Sequence, residues 1–576
     1  MNHVASAQQK NTAELPRGRA AFLLFVLMML LAGLNGRSVY LQIMDNDFLQ
    51  KKGKARYNRV IEVVAHRGVI SDRNGEPLAV STPVESAWAS PANVEADSQQ
   101  IKQLAKILDM DVAEVKQHLS DTEHDFVYLK RQLPPDQAGK VMNLNLSGIS
   151  LQREYRRYYP AAEEAAQMLG FTGQDDNGQE GLELTLQARL AGKSGSQGVI
   201  KDRRGHFVED AGTFHPPQPG NDIMLSLDRK IQHLAYRELE NAVRKNKAHA
   251  GAIVVLDARS FEVLGLANYP AYNPNNRSKI SSQTMRNRAI ADQFEPGSTM
   301  KPFTVAIALE QGKVRSETVI NTGKGVMMIG NKKIHDSHPE DQLTVAQVIQ
   351  KSSNIGAAKI ALSLKPQTMW QGLTDSGFGA ATGSNFPGEA SGKLREAKSW
   401  MPIEQATMAY GHGISVNLLQ LARAYAMLAN DGELKKVSLL KLEVPEVGKR
   451  VFSDNTTRKL RDMLEMVVLP GGTAPLAQVA GYRVAGKTGT AHKLENGHYI
   501  NRYIASFVGF APASNPRLVV AVMIDDPDNG DYYGGLVAAP AFSKVMEAAL
   551  HALNVPNDAP LDNVSLPAAV VLKEEV

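Results

Sequence analysis

A chain of 576 residues is too long for one ordinary domain and implies roughly two or three. Hydrophobic content of 43% with 22% charged residues marks a globular protein, and a net charge of +4 makes no case for nucleic acid. With no cysteine there are no disulfides, no thiolate metal site and no lipidated cysteine anchor.

Residues 1–19 are polar, with Lys10, Arg17 and Arg19, and Ala20 to Leu34 is an unbroken apolar run. Fifteen residues give roughly 22 Å of helix, short of the ~30 Å hydrocarbon core. Extension through Val39, Tyr40, Leu41 and Ile43 closes the gap, with Asn35 and Arg37 near the interface. No clear A-x-A cleavage site follows, so the reading is a tail at 1–19 and an uncleaved anchor at 20–43. Lys51, Lys52, Lys54 and Arg56 follow the span, so charge asymmetry gives no guide to its orientation.

Residues 60–220 read as mixed strands and short helices, ending at the cluster His215-Pro216-Pro217-Gln218-Pro219-Gly220, a domain boundary. A second domain, 221–554, opens with a strand at Ile223 to Leu227 and a helix from Arg229 to about Arg244. Gly251 to Leu256 and Glu262 to Ala267 read as paired strands. A helical middle then precedes strands near 482–491, 503–511 and 517–525. Strands at both ends with helices between imply an α+β domain with one antiparallel sheet. The Pro/Asp-rich tail 555–576 reads as loose. There is no internal repeat, no phosphate-binding glycine loop and no metal-ligand spacing, so neither cofactor nor metal is expected. His335 and His338 read as surface residues, and His492 as a solvated strand residue.

The chemistry lies in three short motifs: Ser298-Thr299-Met300-Lys301, Ser352-Ser353-Asn354 and Lys487-Thr488-Gly489. A serine hydroxyl needs a neighbour to take its proton, and residues three apart share a helix face. Ser298 and Lys301 would meet if Phe294-Glu295-Pro296-Gly297 is a turn leading into a helix, where Pro302 costs little. Lysine acts as a base only when neutral, and a second cation such as Lys487 favours that state. Ser352 would relay protons and Asn354 would bond a substrate amide. Gly489 lets a ligand backbone approach its strand edge. Each motif alone is weak. Ser438 and Lys441 repeat the first spacing in a stretch, Val437-Ser438-Leu439-Leu440, that reads as a strand. Ser415-Val416-Asn417 and Ser453-Asp454-Asn455 repeat the second, the latter reading better as a helix N-cap. Ser352 is preferred because helix-like runs flank it, and Thr490-Ala491 strengthens the third motif.

On these residues the chain resembles a class B penicillin-binding protein, most closely the septal peptidoglycan transpeptidases of Gram-negative bacteria. Arg67 to Gly75, Arg157-Tyr158-Tyr159-Pro160 and Gly181-Leu182-Glu183 are similar to that family's non-catalytic module. Tyr272 to Asn276, Phe294 to Pro302 and Tyr532-Tyr533-Gly534-Gly535 are similar to its septal subgroup. The resemblance implies an α+β transpeptidase domain, an N-terminal mixed α/β pedestal at 60–220 and one transmembrane helix. It implies Ser298 as acylated nucleophile, Lys301 as its base, and Ser352 and Asn354 as the second motif. Lys487, Thr488 and Thr490 would hold a substrate or β-lactam carboxylate, with Gly489 between them. The N–H groups of Ser298 and Thr490 would form the oxyanion hole. Implied partners are peptidoglycan stem peptides, β-lactam antibiotics, a membrane glycan polymerase and other division proteins. The implied location is the bacterial inner membrane, single-pass, with the second domain in the periplasm. Phe261 stands where the family usually has glycine, and Asn417-Leu418-Leu419-Gln420 where it often has Thr-Pro-Leu-Gln. These departures leave open a paralogue used under particular growth conditions. A serine β-lactamase and a non-catalytic division scaffold are the remaining rivals.

Overall fold

The computed structural model describes residues 17–201, 207–495 and 497–566. The expected tails at 1–19 and 555–576 therefore lie partly outside the described residues. The chain forms two compact units that interleave along the sequence. One comprises the described residues up to Val64, with Glu85–Arg153 and Ser194–Gln218. The other comprises Ala65–Val84, Glu154–Lys193 and the described residues from Pro219 onward.

In the first unit, the helix Arg17–Val39 runs on through a π-turn, Tyr40–Met44, with no buried residue. The segment has 28 residues, its most apolar 18-residue stretch has a mean hydropathy of 1.8, and it is long and apolar enough to cross a membrane. At 1.5 Å per residue the segment spans roughly 42 Å, more than the ~30 Å it has to cover. Further along, helices Ser98–Leu108, Val112–Ser120 and Pro135–Asn143 turn apolar faces toward Ala87, Ala89, Leu129 and Leu133. Asp97 starts the first of these with a capping box, accepting from the N–H of Gln100. Asn58–Val63, Gly195–Lys201 and Phe207–His215 form a separate antiparallel sheet.

The second unit is built on five antiparallel strands in the order Val263–Tyr269, Ala250–Asp257, Leu518–Asp525, His498–Ala511, Ala485–Glu495. The N-terminal hairpin is thus joined edge to edge with the C-terminal meander. Every residue of the two central strands is buried, so both faces must be covered, which explains their continuous apolar runs. Helices Arg229–Lys245 and Ala539–Ala552 pack on the sheet and on each other. Leu418–Ala429 packs on the central strands and is buried almost all round, as its sequence, apolar on every side, requires.

Local expectations change in four places. Only Ile223–Met224 is strand, paired in parallel with Ile70–Ser71, because the chain turns at once into the capped helix after Asp228. The last strand starts at Ala485, since Tyr482 closes a tight turn with Val479. Val437 to Leu440 makes isolated bridges to Glu262 and Leu225 instead of a strand. The tail is not loose over its described part, to residue 566. Asp558 accepts from Arg483 N and Ser514 Oγ, Asn563 Nδ2 donates to Tyr482 O, and Gln478 bonds Ser565 twice.

A buried ionic group crosslinks distant parts of this unit. Glu183, fully buried, accepts from Arg67 Nε at 2.8 Å and Arg157 Nε at 2.7 Å. Arg67 also donates to Gln187 Oε1 at 2.7 Å, and Arg157 to Ser81 Oγ at 3.1 Å. Removing Glu183 takes from two buried guanidiniums the carboxylate that pairs both. Glu183→Ala should therefore destabilise the fold by about 3–5 kcal/mol in urea unfolding. A loss below about 1 kcal/mol would mean the guanidiniums find other partners.

Candidate active site

Ser298 lies in the 3₁₀ turn Gly297–Met300, which tightens the entry to the α-helix Lys301–Glu310. Pro302 occupies the first helical turn, where its missing N–H leaves nothing unpaired. Lys301 is fully buried while Ser298 keeps partial access to solvent. Three glycines permit the packing behind the turn. A Cβ on Gly411 would lie 2.2 Å from Gly297 O, and one on Gly489 would lie 2.8 Å from Pro296 O. Gly297 itself has φ +57°, and a Cβ there would meet Thr490 O at 3.1 Å. The serine turn is thus clamped between the 411 loop and the 489–490 strand edge.

All three motifs converge. Lys301 Nζ lies 2.9 Å from Ser298 Oγ, 2.5 Å from Ser352 O, 3.0 Å from Ser352 Oγ and 2.8 Å from Asn354 Oδ1. Lys487, also fully buried, donates to Ser352 Oγ at 3.0 Å and to Thr488 Oγ1 at 3.1 Å. Thr488 Oγ1 lies 3.0 Å from Thr473 Oγ1. Thr490 Oγ1 accepts from Gly534 N at 3.0 Å, tying the Tyr532-to-Gly535 segment to this strand.

The hydrogen-bond inventory decides what Lys301 can do. Ser352 O and Asn354 Oδ1 can only accept, and a neutral amine has two N–H groups to give them. Its lone pair is then left for a hydroxyl proton, and Ser298 Oγ stands within hydrogen-bond reach. With three N–H groups the same amine would donate to Ser298 Oγ instead. The arrangement suits both sides of one proton transfer.

A second set of side chains rims the site. Glu295 accepts from Gly413 N at 2.8 Å and from Tyr499 Oη at 2.9 Å. Burial pushes its carboxyl above the usual range, opposed by those two bonds. His412 sits between Tyr410 and Tyr499, with ring centroids 5.2 and 6.0 Å away. Burial, then the Lys301 and His492 charges, pull its imidazole down to about 4. His492 Nδ1 faces Ile500 O at 3.0 Å, and its ring lies 4.6 Å from Tyr503, which stacks on Tyr532.

The repeated spacings stay apart from all this. Ser438 Oγ donates to Leu440 O, Lys441 Nζ to Arg73 O, and Ser415 Oγ to Gln293 Oε1. Asn417 and Ser453 are helix N-caps. His335 and His338 are exposed. Sequence reasoning missed Glu295, His412, Tyr499, Thr473 and Asp336. Glycines on both sides of His412 were its one local signal.

A helix-start serine with its i+3 lysine, facing a Lys-Thr-Gly edge strand of an antiparallel sheet, is the architecture of the penicillin-recognising serine enzymes. Residues 251–547 match the penicillin binding protein transpeptidase domain, and residues 62–225 the penicillin-binding protein dimerisation domain. The chain is 43% identical to a probable peptidoglycan D,D-transpeptidase, PenA, of Neisseria meningitidis, over 94% of each. It is 41% identical to the peptidoglycan D,D-transpeptidase FtsI of Escherichia coli, over 96% of this chain and 95% of that one. The apo transpeptidase domain of Burkholderia pseudomallei penicillin-binding protein 3 superposes with a TM-score of 0.54 at 50% identity. That match covers 58% of this chain and 98% of the other. This chain belongs to the class B penicillin-binding proteins.

The depressed His412 gives a pH signature. In the fold it stays neutral to about pH 4, whereas in the unfolded chain it takes a proton near 6.5. Stability should therefore fall as pH drops from about 6.5 toward 4, by up to about 3 kcal/mol. The raised Glu295 works in the opposite direction, so the comparison is wild type against His412→Gln. The variant should lose less melting temperature between about pH 7 and 4.5. Parallel curves would show that His412 is not held neutral.

Proposed function

We propose that this protein is a peptidoglycan D,D-transpeptidase of septal wall synthesis, working through an acyl-enzyme on Ser298 and captured covalently by β-lactams. The observation that carries the reading is the Lys301 amine, 2.9 Å from Ser298 Oγ, with two carbonyl oxygens placed to take its other protons.

In this reading Ser298 Oγ passes its proton to Lys301 Nζ as it attacks the carbonyl between the two terminal D-alanines of a stem peptide. The N–H groups of Ser298 and Thr490 hold the developing oxyanion, an interaction worth a few kcal/mol in such enzymes (~2.7–4). Ser352 Oγ, bonded to both lysines, relays the proton to the leaving D-alanine amine. An amine of a neighbouring stem peptide then attacks the ester, reversing the proton path and releasing Ser298. Lys487, Thr488 and Thr490 receive the terminal carboxylate at the strand edge. Gly489 keeps that edge free of a side chain, and Asn354 presents its amide to the peptide. Tyr503, paired with His492 two residues past Thr490, stacks its ring on that of Tyr532.

The domain scheme follows: a tail at 1–19, an anchor at 20–43, a pedestal at 60–220, the transpeptidase at 221–554 and a terminal segment at 555–576. The apolar helix Arg17–Met44 supports attachment to the inner membrane. A periplasmic position for the transpeptidase follows from its substrate, which lies outside that membrane. A glycan polymerase and other division proteins are the partners this role requires, with the pedestal and anchor as contact surfaces.

Fluorescent penicillin tests the assignment. Wild type should carry one stable label per chain, and Ser298→Ala none, with its melting temperature unchanged. Lys301→Arg should acylate at least about 100-fold more slowly, because an arginine keeps its proton at accessible pH. A label on Ser298→Ala, or rapid turnover of the wild-type adduct, would sink the reading.

A further inference from the structure

Ser352 has φ +61°, in the left-handed region that a residue bearing a Cβ rarely adopts. This conformation points both its carbonyl oxygen and its hydroxyl at Lys301 Nζ, at 2.5 and 3.0 Å. The end of the helix Val345–Gln350 sets it, with Ser352 N bonding Ile349 O and Ser353 N bonding Val348 O. Asp336 braces the far side of the same loop. Its buried carboxylate accepts from Ser353 Oγ at 2.6 Å through Oδ2 and from Ile355 N at 2.9 Å through Oδ1. Ser353 Oγ accepts in turn from Gly356 N at 2.9 Å, capping the nine-residue helix Asn354–Leu362.

The neighbours of Asp336 extend the brace. Its own N–H bonds Gly325 O at 3.1 Å, fixing it to the hairpin Val326–Ile329 and Lys332–His335. The carbonyl of His335 accepts from Asn354 Nδ2 at 3.1 Å, which leaves Asn354 Oδ1 turned to Lys301. One short segment, 335–336, therefore orients both Ser352 and Asn354. The Ser353 hydroxyl and the helix-start N–H of Ile355 both donate to this one buried carboxyl group, which ties together the residues on either side of Asn354.

We infer that Asp336 is a positioning residue for acylation. It clamps the Ser352–Asn354 loop so that two carbonyl oxygens engage the N–H groups of Lys301 and leave its lone pair for Ser298. The inference rests on the reading of Ser298 as nucleophile. Without the carboxylate, Ser353 Oγ and Ile355 N lose their anchor, the loop shifts, the Ser352 carbonyl leaves Lys301, and the amine donates to Ser298 Oγ instead of accepting from it.

The test uses the full-length chain in detergent with fluorescent penicillin, reading the burst amplitude and the acylation rate constant separately. Asp336→Ala should acylate about 100-fold more slowly at near wild-type amplitude, the usual scale for an active group displaced by about 1 Å. Asp336→Asn keeps an acceptor for Ile355 N and can donate to Ser353 Oγ, so it should recover to within about 5-fold of wild type. Ser353→Ala should lie between, and Ser353→Ala with Asp336→Ala should be no slower than Asp336→Ala alone within about 3-fold. Asp336→Ala acylating within about 3-fold of wild type would overturn the inference. So would an asparagine variant as slow as the alanine one, or a fall in amplitude at unchanged rate. Absence of a wild-type burst at Ser298 would instead overturn the reading beneath it.

Discussion

Two lysine side chains, both withdrawn from solvent, share one serine hydroxyl, and the remainder of the site answers to that constraint. Each amine lies 3.0 Å from Ser352 Oγ, so the nitrogens are at most about 6 Å apart. At an effective dielectric near 20, two full charges at that separation repel by about 3 kcal/mol. Burial adds to the penalty on each charge. The pair is thereby biased against being doubly charged, which is the condition under which one lysine can accept a proton. A single buried lysine ringed by carbonyl oxygens would feel the burial but not the repulsion.

Holding the pair requires elements far apart in sequence to meet within a few ångströms. The antiparallel sheet does this by setting one edge strand, Ala485–Glu495, against the turn that delivers Ser298. The approach is closer than side chains would allow, so the contact is made by backbone at Gly297, Gly411 and Gly489. Substitution at any of them would push the serine turn away from Thr490. Ser298 and Thr490 are thus set by a helix entry and a strand, elements more rigid than a free loop.

Much of this was legible in the sequence, because spacing along one element survives folding. Ser298 with Lys301, the strand run before Ala491, and the helix runs on either side of Ser352 each reflect local periodicity. The parts that were not legible depend on contacts across the fold. Asp336 looks like any loop aspartate until the hairpin folds it under Ser353. His412 carries no periodic signal, yet burial pulls its imidazole down to about 4. The tail after Asn554 reads as loose because it is rich in Pro and Asp, but Asp558 and Asn563 satisfy backbone groups at Gly481 to Arg483. Phe261, at φ +60°, accepts the strain a glycine would avoid, and its fully buried ring offsets it.

The left-handed serine is the least expected of these features and the one that ties strain to chemistry. A residue in helical or extended backbone sends its carbonyl and its side chain in different directions. Here, at φ +61°, the carbonyl oxygen and hydroxyl of the same serine meet one nitrogen, and glycine, which adopts this backbone freely, has no hydroxyl to offer. The strained conformation costs about 1–2 kcal/mol. It persists because the residues on either side are over-determined: Ser352 N and Ser353 N bond Ile349 O and Val348 O, and Ser353 caps the next helix. Strain in this site is therefore not an incidental flaw. It is the condition for one residue to instruct a lysine twice.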